Sequence, residues 1–389
     1  MTHYNLTLNL DILKDEVMNS GMDAVIKSSL VLILNEFMEK ERDDYLQANV
    51  YERTDARVDY RNGYYERDYT VSIGKLTLKI PRTRNGEFST TLFEKYQRAD
   101  QSLLLSMLEM VVNGVSTRKV TKVAEQLCGE SVSKSFVSNL TKRLDPIVNE
   151  WASRPLNVTY FKYVFVDAMY IKVREHNKVV SKAVYVAIGV NEKNKREILG
   201  LSVNHSESKA AWTQFFDYLK SRGLQSPKLI ISDAHEGLKN AIRDSFIGTS
   251  WQRCTFHFKC NIVDRMPKKN SAEAKTHLKR IFDAYSPEEA RKIKEEFIQN
   301  YENQTGYAKV IEVLDEGFED AIQFMNEPVA YYQQLRTTNN LERLNSEMRR
   351  RERVIRIFPN TQSAFRLLGA VLMDYEETID QGGRKFLKG

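Results

Sequence analysis

Cysteine is scarce in this chain of 389 residues: only Cys128, Cys254 and Cys260 are present. An odd, sparse set argues against a disulfide framework and for a reducing compartment. Long apolar runs are missing too. The longest candidate, Ser29-Leu30-Val31-Leu32-Ile33-Leu34, falls far short of the roughly 20 residues of a membrane helix. The start, Met1-Thr2-His3-Tyr4, lacks the basic-then-apolar pattern of a secretory signal. Neither an internal repeat nor a low-complexity tract is visible. Of the three tryptophans, Trp212 and Trp251 fall on elements of a mixed α/β region and are expected in its core. These absences leave a soluble intracellular protein, long enough for two or three domains with real cores.

Charge is plentiful but uneven. The net charge is +6, with 28% charged residues. Between Arg336 and Arg366 eight arginines face three glutamates, a local positive field that suits a phosphate backbone as well as a solvated helix face.

Periodicity divides the chain. Residues 1–50 read as helical. Residues 54–95 alternate apolar and polar through Tyr64, Tyr65, Tyr69, Val71, Ile73, Leu76, Leu78 and Ile80, with Asn62-Gly63 and Asn85-Gly86 as hairpin-turn signals. This predicts a small antiparallel sheet carrying Arg57, Arg61, Arg67, Arg82 and Arg84. Gln101–Val112 reads as a helix, Ser116 as the N-cap of a second, and Ser133 as the N-cap of a third. The third would bear Lys134, Ser135, Ser138, Asn139, Lys142 and Arg143, with Cys128-Gly129-Glu130 as the intervening turn. That is helix-turn-helix grammar, and equally the grammar of an ordinary three-helix unit. Pro146 and Pro155 then bracket a boundary.

From residue 159 the pattern is three strands, helix, strand, helix, strand. The apolar run Tyr163–Val166 ends at Asp167, and Lys228–Ser232 forms a strand ending at Asp233. Trp251–Phe256 reads as a last short strand. A helical stretch over 262–335 precedes the arginine-rich helix that contains Glu342. Strand-Asp, strand-Asp, helix-Glu is what a two-metal phosphoryl-transfer site on a ribonuclease-H-like sheet needs, because Mg²⁺ takes hard oxygen ligands and keeps several waters. Singly, each acid has another reading. An Asp at a strand end often caps a turn or helix, and Glu342 would serve as an ion-pair partner for Arg343 or Arg349.

The surrounding text narrows the choice. Arg253-Cys254-Thr255-Phe256-His257 and Thr337-Thr338-Asn339-Asn340-Leu341-Glu342-Arg343-Leu344-Asn345, the latter running into Arg349-Arg350-Arg351, resemble the signatures of Mutator-like DDE transposases of bacterial insertion sequences. Tyr60-Arg61-Asn62-Gly63-Tyr64, Pro81-Arg82-Thr83-Arg84 and Gly86-Glu87-Phe88 resemble the same family, so the likeness spans nearly the whole chain in order. The resemblance implies Asp167, Asp233 and Glu342 as catalytic and metal-binding residues, with two Mg²⁺ or Mn²⁺ ions. It implies metal-dependent nicking at the terminal inverted repeats of a mobile element, then attack of the freed 3′-hydroxyl on another DNA strand. The expected partners are element ends and target DNA as duplexes, with a homodimer to pair two ends and no membrane. The expected location is the bacterial cytoplasm, at the nucleoid.

The expected fold is α/β: an N-terminal helical segment and small sheet (1–100), a helix-turn-helix-like DNA-binding segment (101–150), a ribonuclease-H-like core (156–261), a helical insertion (262–335) and a closing segment with the catalytic Glu (336–389). Cys254 and His257 make half a zinc site. Zinc usually takes four N/S ligands; the only other cysteines are Cys260 and Cys128, with His235 or His277 able in principle to complete a site, so zinc is disfavoured and support near the active site preferred. Asn339 and Asn345 flank Glu342 at i−3 and i+3, where they would position DNA or the carboxylate. Arg343, Arg349, Arg350 and Arg351 are the candidate DNA contacts beside the site. Lys134, Ser138, Asn139, Lys142, Arg143, Arg61, Arg82 and Arg84 are those of the N-terminal region. Aromatics of the insertion (Phe297, Tyr301, Tyr307, Phe318, Phe324) have helical spacing and are expected in its core. Two rival functions stay open: a non-catalytic DNA-binding regulator derived from a transposase, and a metal-dependent nuclease or resolvase.

Overall fold

Alternation and turn chemistry decide the first elements. The computed structural model describes residues 22–71, 73–92, 101–128, 132–269, 271–381 and 386–387, and its contacts divide into two compact units, Met1–Thr141 and Lys142–Gly389. The expected first helix is seen as α1 (Met22–Leu46); residues 1–21 lie outside the described residues. It packs on an antiparallel hairpin, β1 (Arg61–Val71) and β2 (Gly74–Thr83). Leu76, Leu78 and Ile80, spaced by two, bury one face of β2 against Met38 and Tyr69.

The turn signals work differently from expectation. The chain reverses between Val71 and Gly74 (φ 125°), so Ile73 belongs to the turn and not to a strand. Asn62-Gly63 instead sits at a register shift inside β1, where Gly63 takes φ 66°. A positive-φ glycine serves a bulge as readily as a hairpin.

Three helices follow as expected: α2 (Gln101–Val112), α3 (Thr117–Cys128) and α4 (Lys134–Leu140). Ser116 Oγ accepts from Lys119 N–H at 3.4 Å and Ser133 Oγ from Phe136 N–H at 3.0 Å, so both predicted caps form. The turn at residues 129–131 lies outside the described residues. The third helix is shorter than its predicted polar face. Lys142 and Arg143 occupy a 3-10 turn (Thr141–Arg143) and fall in the second unit. Pro146 marks no boundary; it lies in the first turn of α5 (Leu144–Ser153), where a missing N–H costs nothing.

The second unit is built on a five-stranded mixed sheet in the order β5-β4-β3-β6-β7. Strands β3 (Phe161–Glu175), β4 (Lys178–Asn191) and β5 (Arg196–Asn204) are antiparallel neighbours. After α6 (Lys209–Ser221) comes β6 (Leu229–Ser232), parallel to β3. After α7 (Glu236–Ser245) comes β7 (Ser250–Arg253), parallel to β6. The core on one face gathers Val164, Val166, Tyr185, Leu199, Ile230 and Ile242 around Trp212, Phe215 and Phe216. Trp212 stacks on Phe216 at 5.7 Å between ring centroids. Trp251 packs partly buried against this core and donates from Nε1 to Ser232 Oγ at 2.8 Å.

Two boundaries differ from the sequence reading. Asp167 is not at a strand end: β3 runs eight residues further, to Glu175. The apolar run stops because burial changes from nearly every residue to alternate ones, Met169, Ile171 and Val173. The last strand stops at Arg253, and Thr255–Val263 is helix α8, so Phe256 is helical and exposed.

Beyond α8 the chain makes a helical excursion through α9 (Ala272–Phe282), α10 (Pro287–Tyr301), α11 (Ala308–Ala321) and the short α12 (Tyr332–Leu335). Phe297, Tyr307, Phe318 and Phe324 are buried and Tyr301 stacks on Tyr307, as core packing requires. The excursion is fastened at its root. Buried Gln252 donates to Ala321 O at 2.8 Å and accepts from Phe324 N–H at 2.7 Å. The Arg336 carbonyl accepts from both the backbone N–H and the hydroxyl of Thr255, each at 2.9 Å. Helices α13 (Asn339–Ile355) and α14 (Thr361–Gln381) close the unit.

Phe216→Ala is expected to destabilise the second unit by about 3–5 kcal/mol, the usual cost of emptying a large aromatic site. Urea denaturation followed by tryptophan fluorescence checks this, since Trp212 stacks on the deleted ring.

Candidate active site

The ladder between β3 and β6 sets two carboxylates side by side. Tyr163 faces Leu229 and Phe165 faces Ile231; the same offset, carried two residues further, brings Asp167 beside Asp233. Neighbouring strands lie about 4.8 Å apart, so acids at matched positions interact strongly. Asp233 follows the last residue of β6 and does not cap α7. That cap is His235, whose Nδ1 accepts from Leu238 N–H at 3.3 Å.

Glu342 arrives from the other side of the excursion, in the first turn of α13. Thr338, at the start of that helix, carries the connection. Its N–H and hydroxyl donate to Cys254 Sγ at 3.5 and 3.3 Å, and its hydroxyl lies 3.5 Å from Asp233 Oδ1. The far end of α13 is held as well. Arg356 turns through φ 64° and Phe358 then pairs with β3, donating to Lys172 O and accepting from Arg174 N–H.

His257 stands between the acids. Its Nδ1 is 2.7 Å from Asp233 Oδ1, at ion-pair distance although outside hydrogen-bond alignment, and its Nε2 is 3.6 Å from Glu342 Oε1. Contact with the Cys254 sulfur, then the Asp233 charge, raises the imidazole to about 9 against its burial, so it is a cation at neutral pH. Among the described residues no ion pair joins Glu342 to Arg343 or Arg349; its ion contact is His257.

Asp167 is held differently. Asn345 Nδ2 donates to its Oδ2 at 2.5 Å and Ala168 N–H to its Oδ1 at 2.8 Å. Burial, then the charge of Asp233, pushes its carboxyl up to about 6 in spite of these two donors. Burial also raises Asp233, with His257 and Thr338 pulling the other way.

Asn345 therefore positions Asp167 and not Glu342. Asn339 opens the helix, exposed to solvent. Sequence reasoning missed Thr338 and Glu207. Glu207 lies near enough to raise Asp167, accepts from Trp212 Nε1 at 3.3 Å, and faces His235 at 3.7 Å. Thr338 was in view as part of the Thr-Thr-Asn-Asn run, but nothing in its spacing ties it to Cys254. No sequence signal marks Glu207.

The basic stripe divides into exposed and committed arginines. Arg343, Arg349, Arg350, Arg353 and Arg356 are exposed. Arg351 is not a surface contact: it is 2% exposed and donates to Glu347 at 3.2 Å. It lies on the buried face with Leu341, Leu344 and Met348. Arg336 pairs with Asp283 and Arg366 with Asp145.

In the first unit Arg61 is likewise committed, to the Asp43 carboxylate and to the carbonyls of Ala48 and Asn49. It ties the unit together through both terminal nitrogens, and its Nε is buried. Arg82 and Arg84 are exposed and lie over Tyr65 and Tyr60. They border a cleft of about 1010 Å³ along the hairpin. Lys134, Ser138 and Asn139 line the exposed side of α4, and Lys142 and Arg143 are exposed in the following turn.

Comparison with known proteins bears on this arrangement. Residues 1–382 match the family described as "Transposase, Mutator family". The chain is 49% identical over 387 residues to the transposase for insertion sequence element IS256 in transposon Tn4001 of Staphylococcus aureus, covering 100% of this chain and 99% of that one. It is 38% identical over 364 residues to the transposase for element ISRM5 of Rhizobium meliloti, covering 94% and 90%. It is 34% identical over 389 residues to the transposase for IS1081 of Mycobacterium tuberculosis, covering 100% and 92%. No helix among the described residues is long and apolar enough to cross a membrane.

Asp167 generates a pH prediction. Its raised folded pKa means that the protonated form adds stability, fully present below the ordinary carboxylate range and lost as pH rises through about 6. Asp167→Asn is therefore expected to raise the melting temperature of the metal-free protein by a few degrees at pH 8 and to leave it nearly unchanged at pH 4. Thermal melts across that range decide it; an equal effect at both ends would remove the electrostatic cause.

Proposed function

The chain belongs to the Mutator family of transposases, and from that footing we propose that Asp167, Asp233 and Glu342 are the acids of a two-metal DNA cleavage and joining site on a ribonuclease-H-like sheet. The observation that carries the reading is the convergence of three carboxylates from β3, the end of β6 and α13 around His257 and Asn345. The mixed strand order, three antiparallel strands followed by two parallel ones, supports it.

The donor set fits Mg²⁺ or Mn²⁺. All three acids offer hard oxygens, and the burial and mutual repulsion that raise Asp167 are what a divalent cation held by the aspartates would offset. When bound, such ions activate the attacking oxygen and stabilise the leaving one during in-line displacement at a phosphodiester.

The protein's part is placement. Asn345 and the Ala168 N–H fix the Asp167 carboxylate by its two oxygens. His257 neutralises Asp233 and holds Glu342 within reach of it. The exposed Arg343, Arg349 and Arg350 present guanidinium forks to DNA phosphates on the helix that carries Glu342. In the first unit, Lys134, Ser138 and Asn139 of α4, with Arg82 and Arg84 of the hairpin, are the groups assigned to reading the terminal inverted repeats. Cutting frees a 3′-hydroxyl at the element end, which then attacks another strand; a homodimer would pair the two ends.

Labelled duplex carrying the element end, with Mg²⁺ or Mn²⁺, tests this directly. Wild type is expected to nick and join, and Asp233→Ala and Glu342→Gln to fall to background while still binding the end. Binding without cutting under either metal would favour a regulator; cutting without joining would favour a nuclease. Asn345→Ala, which removes only the clamp on Asp167, is expected to weaken Mn²⁺ affinity or activity by about 10- to 100-fold, the usual effect of losing a supporting bond to a ligand. Calorimetric Mn²⁺ titration and the same cleavage assay measure it.

A further inference from the structure

Cys254 is left over by this scheme. It is wholly buried at the start of α8, and its sulfur receives two donors from Thr338. His257 lies one turn along the same helix. Asp233, Cys254 and His257 each present one ligand atom, and these three atoms lie within 4.8 Å of one another. The His257 Nδ1 is buried, without an aligned hydrogen bond, and points at the same spot from 2.7 Å off Asp233.

The donors are one sulfur, one nitrogen and one oxygen; a metal takes them as thiolate, neutral imidazole and carboxylate, so binding releases the Cys254 thiol proton and one His257 ring proton to solvent. Magnesium has no use for the first two, whereas zinc takes all three. Zinc distances of about 2.0–2.3 Å put neighbouring ligands roughly 3.3–3.8 Å apart. Reaching that size means opening the 2.7 Å edge between Asp233 and His257 and drawing both in toward the sulfur, by rotations of two side chains that are 42% and 39% exposed. No second cysteine is needed: the oxygen of Asp233 takes that place. Three protein ligands with a solvent-facing side resemble an open zinc site more than a closed structural one.

We propose that Asp233, Cys254 and His257 bind a thiophilic divalent cation of the zinc class, and that its binding withdraws Asp233 from the magnesium site and so inhibits the transposase. The inhibitory half rests on Asp233 being a catalytic magnesium ligand; the binding half does not.

The test uses the full-length protein with Co²⁺ alone as a spectroscopic probe. Wild type is expected to show a sulfur-to-cobalt charge-transfer band, discharged by Zn²⁺. Cys254→Ser is expected to lose the band and Asp233→Asn to weaken cobalt binding at least tenfold, while Cys260→Ser keeps it; thermal melts confirm that each variant is folded. The absence of a band in wild type, or its persistence in Cys254→Ser, overturns the site.

For inhibition, Zn²⁺ is titrated into Mg²⁺-supported cleavage, each variant measured against its own zinc-free rate. The expected result is inhibition relieved by excess Mg²⁺, with Cys254→Ser needing at least ten times more zinc. A cobalt band in wild type with cleavage insensitive to zinc overturns the inhibitory half. If no protein cleaves with Mg²⁺, the catalytic reading fails, and the cobalt spectrum still decides the site.

Discussion

One carbonyl, that of Arg336, holds two distant parts of the chain together. It accepts both donors of Thr255, and between those residues lies the whole helical excursion from α8 to α12. Loop-closure entropy grows only slowly with loop length, so a long excursion costs little once its root is fixed. Gln252 secures the same root from β7. With the root closed, Thr338 reaches Cys254, and Glu342 comes up against His257. The site therefore depends less on the sheet alone than on the knot where the excursion leaves and returns.

Around that knot the electrostatics are arranged in opposition. The β3·β6 register forces two aspartates into neighbouring positions, and burial makes their charges harder to bear. Three neutral or cationic partners answer them: Asn345 for Asp167, and His257 and Thr338 for Asp233. These partners orient the acids without offsetting the cost of burying them, since both carboxyls stay raised. A transposase of insertion-sequence elements meets its DNA as a polyanion, and the exposed arginines of α13 lie on the same helix as one of the acids.

Much of this was legible in the residues. The order of strands and helices in the second unit followed from apolar runs and their spacing, and two serine caps of the three-helix segment formed as read. What failed had local physical causes. Asp167 looked like a strand end because one face of β3 loses its cover there, although its backbone pairing with β4 continues to Glu175. Asn62-Gly63 carried a hairpin signal that a bulge also uses. Arg351 looked like its neighbours in a run of three arginines, and only helical phase told it apart: it shares the buried face with Leu344 and Met348. Cys254 and His257 were visible as a pair, but their relation to Asp233 and Thr338 is made by tertiary closure, which no spacing in the chain encodes.

The staking of α13 at both ends has a mechanical meaning. Thr338 fixes its start to the Cys254 sulfur, and Phe358, just past the left-handed residue Arg356, stitches its exit to β3. A helix so held cannot slide or roll without breaking the Thr338 bonds to Cys254 or the Phe358 bonds to β3, so it behaves as a strut and not as a lever. Glu342, carried on this strut, therefore keeps its place against His257.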